Sequence, residues 1–142
     1  MERYTIRCAI YLFLIKNNKL FLIRRKNTGW EDGKYCVPGG HLESNEKLSD
    51  AVKREAKEEA GIEVDFEDVK FIQAMHRKSN VDYIDLFFIA NKWLGEPKNT
   101  EEDKADDAGW FDIDNLPENI LPHQKVVLDN YKKNIIFSEF GF

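Results

Sequence analysis

Blocks of apolar residues rich in Ile, Leu, Phe and Tyr alternate with polar blocks along the chain. Apolar blocks of this composition, bounded by Asn- or Gly-containing stretches, are typical of buried β-strands. Asn17 and Asn18 lie between the first two blocks and predict a hairpin turn. The pattern predicts strands at residues 5–16, 20–26, 35–37, 69–77 and 81–93, a loop at 94–108, and a short strand that begins at Trp110.

One segment has the periodicity of a helix. Leu48, Ala51 and Val52 recur on one face of it. Ser44 is a candidate N-cap, and Gly61 suits the left-handed residue that ends many helices. We therefore expect a helix over residues 44–60.

A second helix is predicted near the end of the chain. Pro122 suits the first helical position, because proline has no N–H to leave unpaired there. This helix should run over residues 122–133. The apolar tail that follows, residues 135–142, is expected to pack on the core or on a second subunit.

The apolar face of the first helix continues into carboxylates. At 100° per residue Glu55 and Glu59 lie on that face, and Glu58 lies at its edge. A carboxylate on a buried face is costly unless it is paired or bound to a cation. Two interpretations stay open at this point: a solvated acidic helix face, or a cluster that binds a hard divalent cation.

Composition narrows the class of protein. Strands with one early and one late helix predict an α/β fold in layers, and 142 residues fit a single domain over 1–142. A net charge of −5 argues against a nucleic-acid or membrane-surface partner, which would need a basic patch. Cys8 and Cys36 are expected to be free thiols in the cytoplasm.

A longer motif surrounds these glutamates. Residues 40–62 fit the spacing G-x5-E-x7-R-E-U-x-E-E-x-G-U, where U is a bulky apolar residue, and only Ala56 departs from it. The chain therefore resembles the Nudix hydrolases, which are MutT-like enzymes. This resemblance implies an α/β/α sandwich with a mixed β-sheet. The matching residues are Gly40, Glu46, Arg54, Glu55, Glu58, Glu59, Gly61 and Ile62.

The resemblance also implies roles for the motif residues. In the family, the equivalents of Glu55 and Glu59 are the main ligands of Mg²⁺, for which Mn²⁺ is a possible substitute. Glu58 would be a further ligand or a base, and Arg54 would orient the carboxylates and pair with Glu46. The carbonyl oxygen of Gly40 is another expected ligand. Without the motif, Arg54 and Glu46 alone would be taken for surface charges.

Residues outside the motif are candidates for contacts with substrate. The family usually takes its general base or an extra ligand from a loop opposite the helix. This chain has Glu101, Glu102, Asp103, Asp106 and Asp107 in such a loop, and the last two are nearest to the usual position. A solvated acidic loop is the alternative explanation.

The remaining candidates concern phosphate and base. Arg24 and Arg25 end a predicted strand, so one of the two should face solvent. Leu121, His123 and Gln124 occupy the segment by which oxidised-purine nucleotide hydrolases frame the base, although His123 is equally explained as a capping or surface residue. Aromatic residues that could line a base pocket or belong to the core are Trp30, Tyr35, His76 and Tyr83.

The resemblance predicts Mg²⁺-dependent hydrolysis of a pyrophosphate bond in a nucleoside triphosphate or related nucleoside diphosphate derivative, by attack of water on phosphorus. The substrate would be a small nucleotide, and the protein a monomer or homodimer. A non-catalytic nucleotide-sensing domain is the alternative, and an isomerase of the isopentenyl diphosphate type is a more distant one. The chain keeps every motif glutamate, which favours the hydrolase.

Overall fold

Eight strands form one mixed sheet in the computed structural model, which describes residues 1–142. The central strands run in the order β3-β2-β1-β6-β5-β8, while β4 pairs with β1 and β7 pairs with β2. The pairs β1–β6 and β5–β8 are parallel, and the others are antiparallel. The strands are β1 (Arg7–Lys16), β2 (Lys19–Arg25), β3 (Tyr35–Cys36), β4 (Gly39–His41), β5 (Val69–Lys78), β6 (Asp82–Ala90), β7 (Ala105–Asp112) and β8 (Phe137–Phe140).

Two α-helices cover opposite faces of this sheet. They are α1 (Leu48–Ala60) and α2 (Pro122–Lys132), and a 3₁₀ turn spans Phe66–Asp68. Alternate residues of β1 belong to different cores: Leu12 packs in the cluster that contains α1, and Phe13 packs in the cluster that contains α2. The layers are therefore helix, sheet and helix, as the predicted fold class required. Neither helix has the length and apolar character needed to cross a bilayer.

The first helix begins later than predicted. Its N-cap is Lys47, and no side chain caps it. Ser44 lies in a turn with Asn45, which has a φ of 61°. Leu48 is consequently at the helix start and 38% exposed, so it does not extend the buried stripe. The C-terminal prediction is confirmed, because Gly61 is left-handed with a φ of 69°.

Three segments for which no strand was predicted form strands. β7 begins at Ala105, inside the predicted loop, because its backbone pairs with β2 although its side chains are polar. β4 pairs with β1 through two glycines, which carry no strand signal. The apolar tail forms β8 and packs along β5 of the same chain, one of the two arrangements expected for it.

Candidate active site

The glutamates of α1 lie between β4 and a cavity of about 310 Å³. Glu55 is 5% exposed and faces Gly40, where an added Cβ would clash with the carboxylate of Glu55. Only glycine leaves room for that carboxylate. Glu59, one turn further along α1, lines the cavity itself. The side chain of Glu58 is half exposed.

Arg54 holds this cluster together. Its guanidinium donates to both oxygens of Glu46, from Nε at 2.7 Å and from Nη2 at 3.0 Å. Its Nη1 donates to Glu55 Oε1 at 2.8 Å and to Glu58 Oε2 at 3.1 Å. Nη2 also donates to the carbonyl oxygen of His41 at 3.1 Å, which ties the network to β4. A planar fork with fixed donors orients several carboxylates at once.

The position of Glu46 differs from the prediction. Glu46 precedes α1 and reaches Arg54 from the loop, rather than from the helix two turns away. Its side chain also accepts a hydrogen bond from the backbone N–H of Glu43 at 3.1 Å. The hydrogen bond from Arg54 holds the pKa of Glu46 below its usual range, and the same bond raises the pKa of Arg54. Glu46 thus remains ionised and fixes the Arg54 side chain.

Glu55 and Glu59 are in electrostatically unfavourable surroundings. Burial raises the pKa of Glu59 to about 7, and the negative charges of Glu101 and Glu55 add to this rise while Arg25 opposes it. Burial also raises the pKa of Glu55, against the lowering effect of Arg54. Glu59 makes no ion pair within the protein, so its charge lacks a direct partner.

The acidic side chains do not by themselves form a metal site in this arrangement. No three acidic, His or Cys side chains converge closely enough to hold an ion in the arrangement present, where Arg54 binds Glu55 and Glu58. The donors themselves are nevertheless those that hard divalent cations prefer: carboxylates together with the nearby backbone carbonyl of Gly40. The chemistry of the donor set and the unpaired charge of Glu59 therefore fit a divalent cation.

The cavity beside Glu59 combines charged, polar and apolar walls. Arg25 and Lys104 supply positive charge, and Glu101 supplies a further carboxylate. The other walls come from β-strands, from the loop between β2 and β3, and from the start of α2. These walls include Tyr11, Ile23, Trp30, Val37, Asn99, Leu121 and Gln124.

Comparison with known proteins identifies the family of the acidic motif. The model of the NUDIX domain matches residues 5–131. This chain belongs to the Nudix family. The ADP-ribose pyrophosphatase of Methanocaldococcus jannaschii is 36% identical over 118 residues, which cover 80% of this chain and 66% of that protein. Nudix hydrolase 2 of Arabidopsis thaliana is 31% identical over 108 residues, 74% of this chain and 38% of that protein.

A solved structure agrees with this assignment. The MutT NUDIX hydrolase from Burkholderia pseudomallei superposes with a TM-score of 0.82 at 25% identity, over 89% of this chain and 98% of that one. The predicted Nudix fold is thereby confirmed. The matched part of the chain spans less than two thirds of the archaeal and plant relatives named above.

Within this Nudix domain, the predicted phosphate and loop residues separate into two groups. Arg25 lines the cavity, whereas Arg24 is 37% exposed and pairs with Asp106 at 2.7 Å, as alternation along β2 predicted. Asp107 accepts a hydrogen bond from the hydroxyl of Tyr35. Neither Asp106 nor Asp107 lines the cavity.

The loop carboxylate beside the motif is Glu101, which the sequence placed further from the usual position than Asp106 and Asp107. The reason is that β7 begins early. Its pairing with β2 carries Asp106 and Asp107 onto the sheet edge and leaves Glu101 in the loop before it. No sequence pattern distinguished Glu101 from its acidic neighbours, and no pattern indicated Lys104 or Asn99 as wall residues.

Leu121 and His123, the predicted base-pocket residues on either side of Pro122, differ in what their side chains contact. Leu121 is buried and lines the cavity. His123 is only 3% exposed and packs between the rings of Trp30 and Phe140, so the surface interpretation was wrong. Burial lowers the pKa of His123 to about 3, with a smaller contribution from the positive charge of Arg77. His123 is thus neutral, and its ring packs against the ring of Trp30.

Proposed function

We propose that this Nudix domain hydrolyses a pyrophosphate bond in a nucleoside triphosphate or related nucleoside diphosphate derivative, with Mg²⁺ as cofactor and Mn²⁺ as a possible substitute. The observation that carries the proposal is the pairing of half-buried Glu59, which has no ion-pair partner, with a cavity that also presents Arg25 and Lys104. Anionic substrate and cation together would balance these charges.

Glu55, Glu58, Glu59 and the carbonyl of Gly40 would hold the metal. When bound, such an ion neutralises phosphate charge and lowers the pKa of water. Arg54 and Glu46 keep the carboxylates oriented and do not reach the cavity wall. The half-exposed side chain of Glu58 pairs with Arg54 over 3.1 Å.

The other charged groups of the cavity would bind substrate and handle protons. Arg25 and Lys104 would contact phosphate oxygens, because both line the cavity beside Glu59. Glu101 is our candidate for the base that takes a proton from the attacking water. Its carboxylate faces the same cavity, and its charge already raises the pKa of Glu59.

A non-catalytic nucleotide-sensing domain is the second candidate. Two observations favour it: no three ligand side chains converge, and Arg54 already pairs with Glu55 and Glu58. A sensing domain would bind nucleotides in the same cavity without cleaving them.

The two free cysteines, Cys8 and Cys36, support a reducing compartment, and we place either activity in the cytoplasm.

The deciding experiment is a metal-dependence assay. Nucleoside triphosphates, dinucleotides and nucleotide sugars would be incubated with the protein and Mg²⁺, and the products identified by chromatography. We expect turnover of at least one compound, its loss in excess EDTA, and its return with Mg²⁺ or Mn²⁺. Robust turnover in excess EDTA would contradict the hydrolase mechanism, and binding without turnover would favour the sensing domain.

A further inference from the structure

Strand β8 forms one edge of the sheet, and no element of the chain pairs with its outer side. Its inner side pairs in parallel with β5, where the backbone N–H of Ala74 donates to the carbonyl oxygen of Ile136 at 3.0 Å. The backbone groups of alternate residues point to opposite sides of a strand, so those of Ser138 also face β5. The N–H and C=O groups of Phe137 and Glu139 therefore point outward, away from the sheet.

The outer edge of β8 is poorly protected against pairing with another strand. Natural proteins protect sheet edges with lysines, prolines, bulges or a covering element. Apart from its shortness and the single charge of Glu139, β8 has none of these features, and it pairs with β5 without a register shift. Three consecutive apolar residues at its start are exposed: Ile135 by 42%, Ile136 by 69% and Phe137 by 56%. An open edge flanked by exposed apolar side chains is a typical site for strand addition.

The side chains of β8 divide between the two faces of the sheet. Ser138 Oγ donates to Gln73 Oε1 at 3.1 Å, and Phe140 packs against the cluster that contains α2. Because side chains alternate along a strand, Phe137 and Glu139 lie on the face that carries α1. Both are exposed there, so α1 does not cover this end of the sheet.

We propose that β8 pairs with β8 of a second copy of this chain, antiparallel and about a two-fold axis at Ser138, to form a homodimer with one continuous sheet. In this register Phe137 lies opposite the partner's Glu139, and each such pair exchanges two backbone hydrogen bonds. All the outward N–H and C=O groups of Phe137 and Glu139 are then paired. The dimer does not depend on the activity of the cavity, since β8 lies outside the cavity walls.

The side chains favour this register over its neighbours. The two Phe137 rings lie diagonally across the axis, within reach of aromatic contact, and Ile136 lies opposite the partner's Phe140 on the other face. An axis at Phe137 would place Glu139 opposite Ile135, whose N–H is already bonded within the chain. An axis at Glu139 would set two carboxylates opposite each other, which is destabilising. A second copy is therefore the occupant that fits, because the same strand supplies an apolar partner for Ile136 and keeps the like charges apart.

The dimer should be weak, because the paired edge is short. Specific interfaces below about 1,200 Å² are typical of transient complexes. We expect a dissociation constant of about 10–100 µM, measured by sedimentation equilibrium on the whole protein from about 5 µM to about 1 mM. A protein that remains monomeric at the highest concentration would overturn the proposal.

Phe137→Lys and Phe137→Glu test the register as a matched pair, because both remove the same exposed ring. Lysine would lie opposite the partner's Glu139, whereas glutamate would gather four carboxylates around the axis. We expect the dissociation constant to stay within about threefold of wild type for Phe137→Lys and to rise by about tenfold or more for Phe137→Glu. Phe71→Glu, at an exposed ring of β5 before its pairing with β8, is the control and should keep the wild-type value. Equal weakening by both Phe137 variants would overturn the register.

A cross-link at the axis tests the geometry directly. Opposed Ser138 residues form a non-hydrogen-bonded antiparallel pair, whose Cα atoms lie about 4.5 Å apart, within the reach of a disulfide. Ser138→Cys should therefore give a covalent dimer on mild oxidation, seen on a non-reducing gel. The wild-type protein, which has Cys8 and Cys36, and Glu67→Cys, at an exposed position away from the edge, should give none. Absence of the cross-link in Ser138→Cys, while the wild-type protein sediments as a dimer, would place the interface elsewhere and overturn the proposal.

Discussion

The charged side chains of this Nudix domain form two groups. One group places charge in the cavity, and the other orients the side chains of the first by hydrogen bonds. Glu59 belongs to the first group, because it lines the cavity and has no ion-pair partner. Arg54 belongs to the second, because its hydrogen bonds go to Glu46, Glu55, Glu58 and a backbone carbonyl. Substitutions at the two positions should therefore have different kinetic signatures.

Glu59→Gln keeps the shape of the side chain and removes its charge. We expect kcat to fall by about 10²-fold or more with little change in thermal stability, since losing one charge that stabilises the reaction has effects of that size. Steady-state kinetics with Mg²⁺, together with a thermal melt, would check this. Glu67→Gln, at an exposed position in the 3₁₀ turn, is the matched control. A protein that no longer folds would instead give Glu59 a structural role.

Arg54→Ala should lower kcat more than it raises KM. The reason is that Arg54 holds carboxylates and makes no contact with the cavity where substrate would bind. Arg54→Lys should recover little of the loss, since a single ammonium cannot replace a fork that donates to three glutamates. Measurement of both kinetic constants decides the point, and a change confined to KM would indicate direct phosphate contact.

At the scale of elements, much of α1 could be predicted and its surroundings could not. The periodicity around Ala51 and Val52 gave the correct buried face and placed Glu55 on it. The start of the helix was wrong because Ser44 fits a cap equally well in a turn. β4 and the early part of β7 were missed because they are held by backbone pairing with β1 and β2, which leaves no pattern in their own side chains.

His123, in α2, makes the stability of the protein depend on pH. Its pKa is lowered to about 3 in the folded protein, below the ordinary value near 6.5, so the unfolded chain binds more protons between these values. This residue's contribution to stability is therefore full above about pH 6.5 and is lost as the pH falls toward 3. His123→Phe should make the free energy of unfolding less dependent on pH in that range. Urea denaturation of both proteins from pH 4 to 7 would measure it, and parallel curves would contradict the assignment.

At the scale of the whole molecule, the cavity joins residues from distant parts of the chain. The family and the layered fold followed from one motif and from the strand pattern. The choice of wall residues did not: Trp30 and Gln124 were candidates among several, and Glu101 could not be distinguished from its acidic neighbours, because these segments meet only after the sheet has formed. Sequence patterns report local periodicity, and they give no register between strands that lie far apart.

The composition of the whole cavity predicts weak discrimination between oxidised and normal guanine. Leu121, rather than an aromatic residue, lines the cavity before α2, and the NH₂ group of Gln124, whose oxygen accepts from Val37 N–H, can only donate. Oxidation of guanine converts the acceptor N7 into a donor, which this amide would not favour. We expect kcat/KM for 8-oxo-dGTP to be within about 100-fold of that for dGTP under matched Mg²⁺. A larger preference for the oxidised nucleotide would require about 2.7 kcal/mol of selective contact and would contradict this reading.

The parallel pairing of β1 with β6 has a consequence for folding. It places Arg7 opposite Tyr83, so the chain between them, which includes α1, forms a long closed loop. Closing such a loop costs entropy before its contacts form, and folds with many distant pairings reach the native state slowly. During synthesis β1 can pair with β2 and β4 first, but its edge toward β6 stays open until β6 has emerged. The carboxylates of α1 keep that intermediate segment charged and hydrated, which opposes aggregation while the sheet remains open.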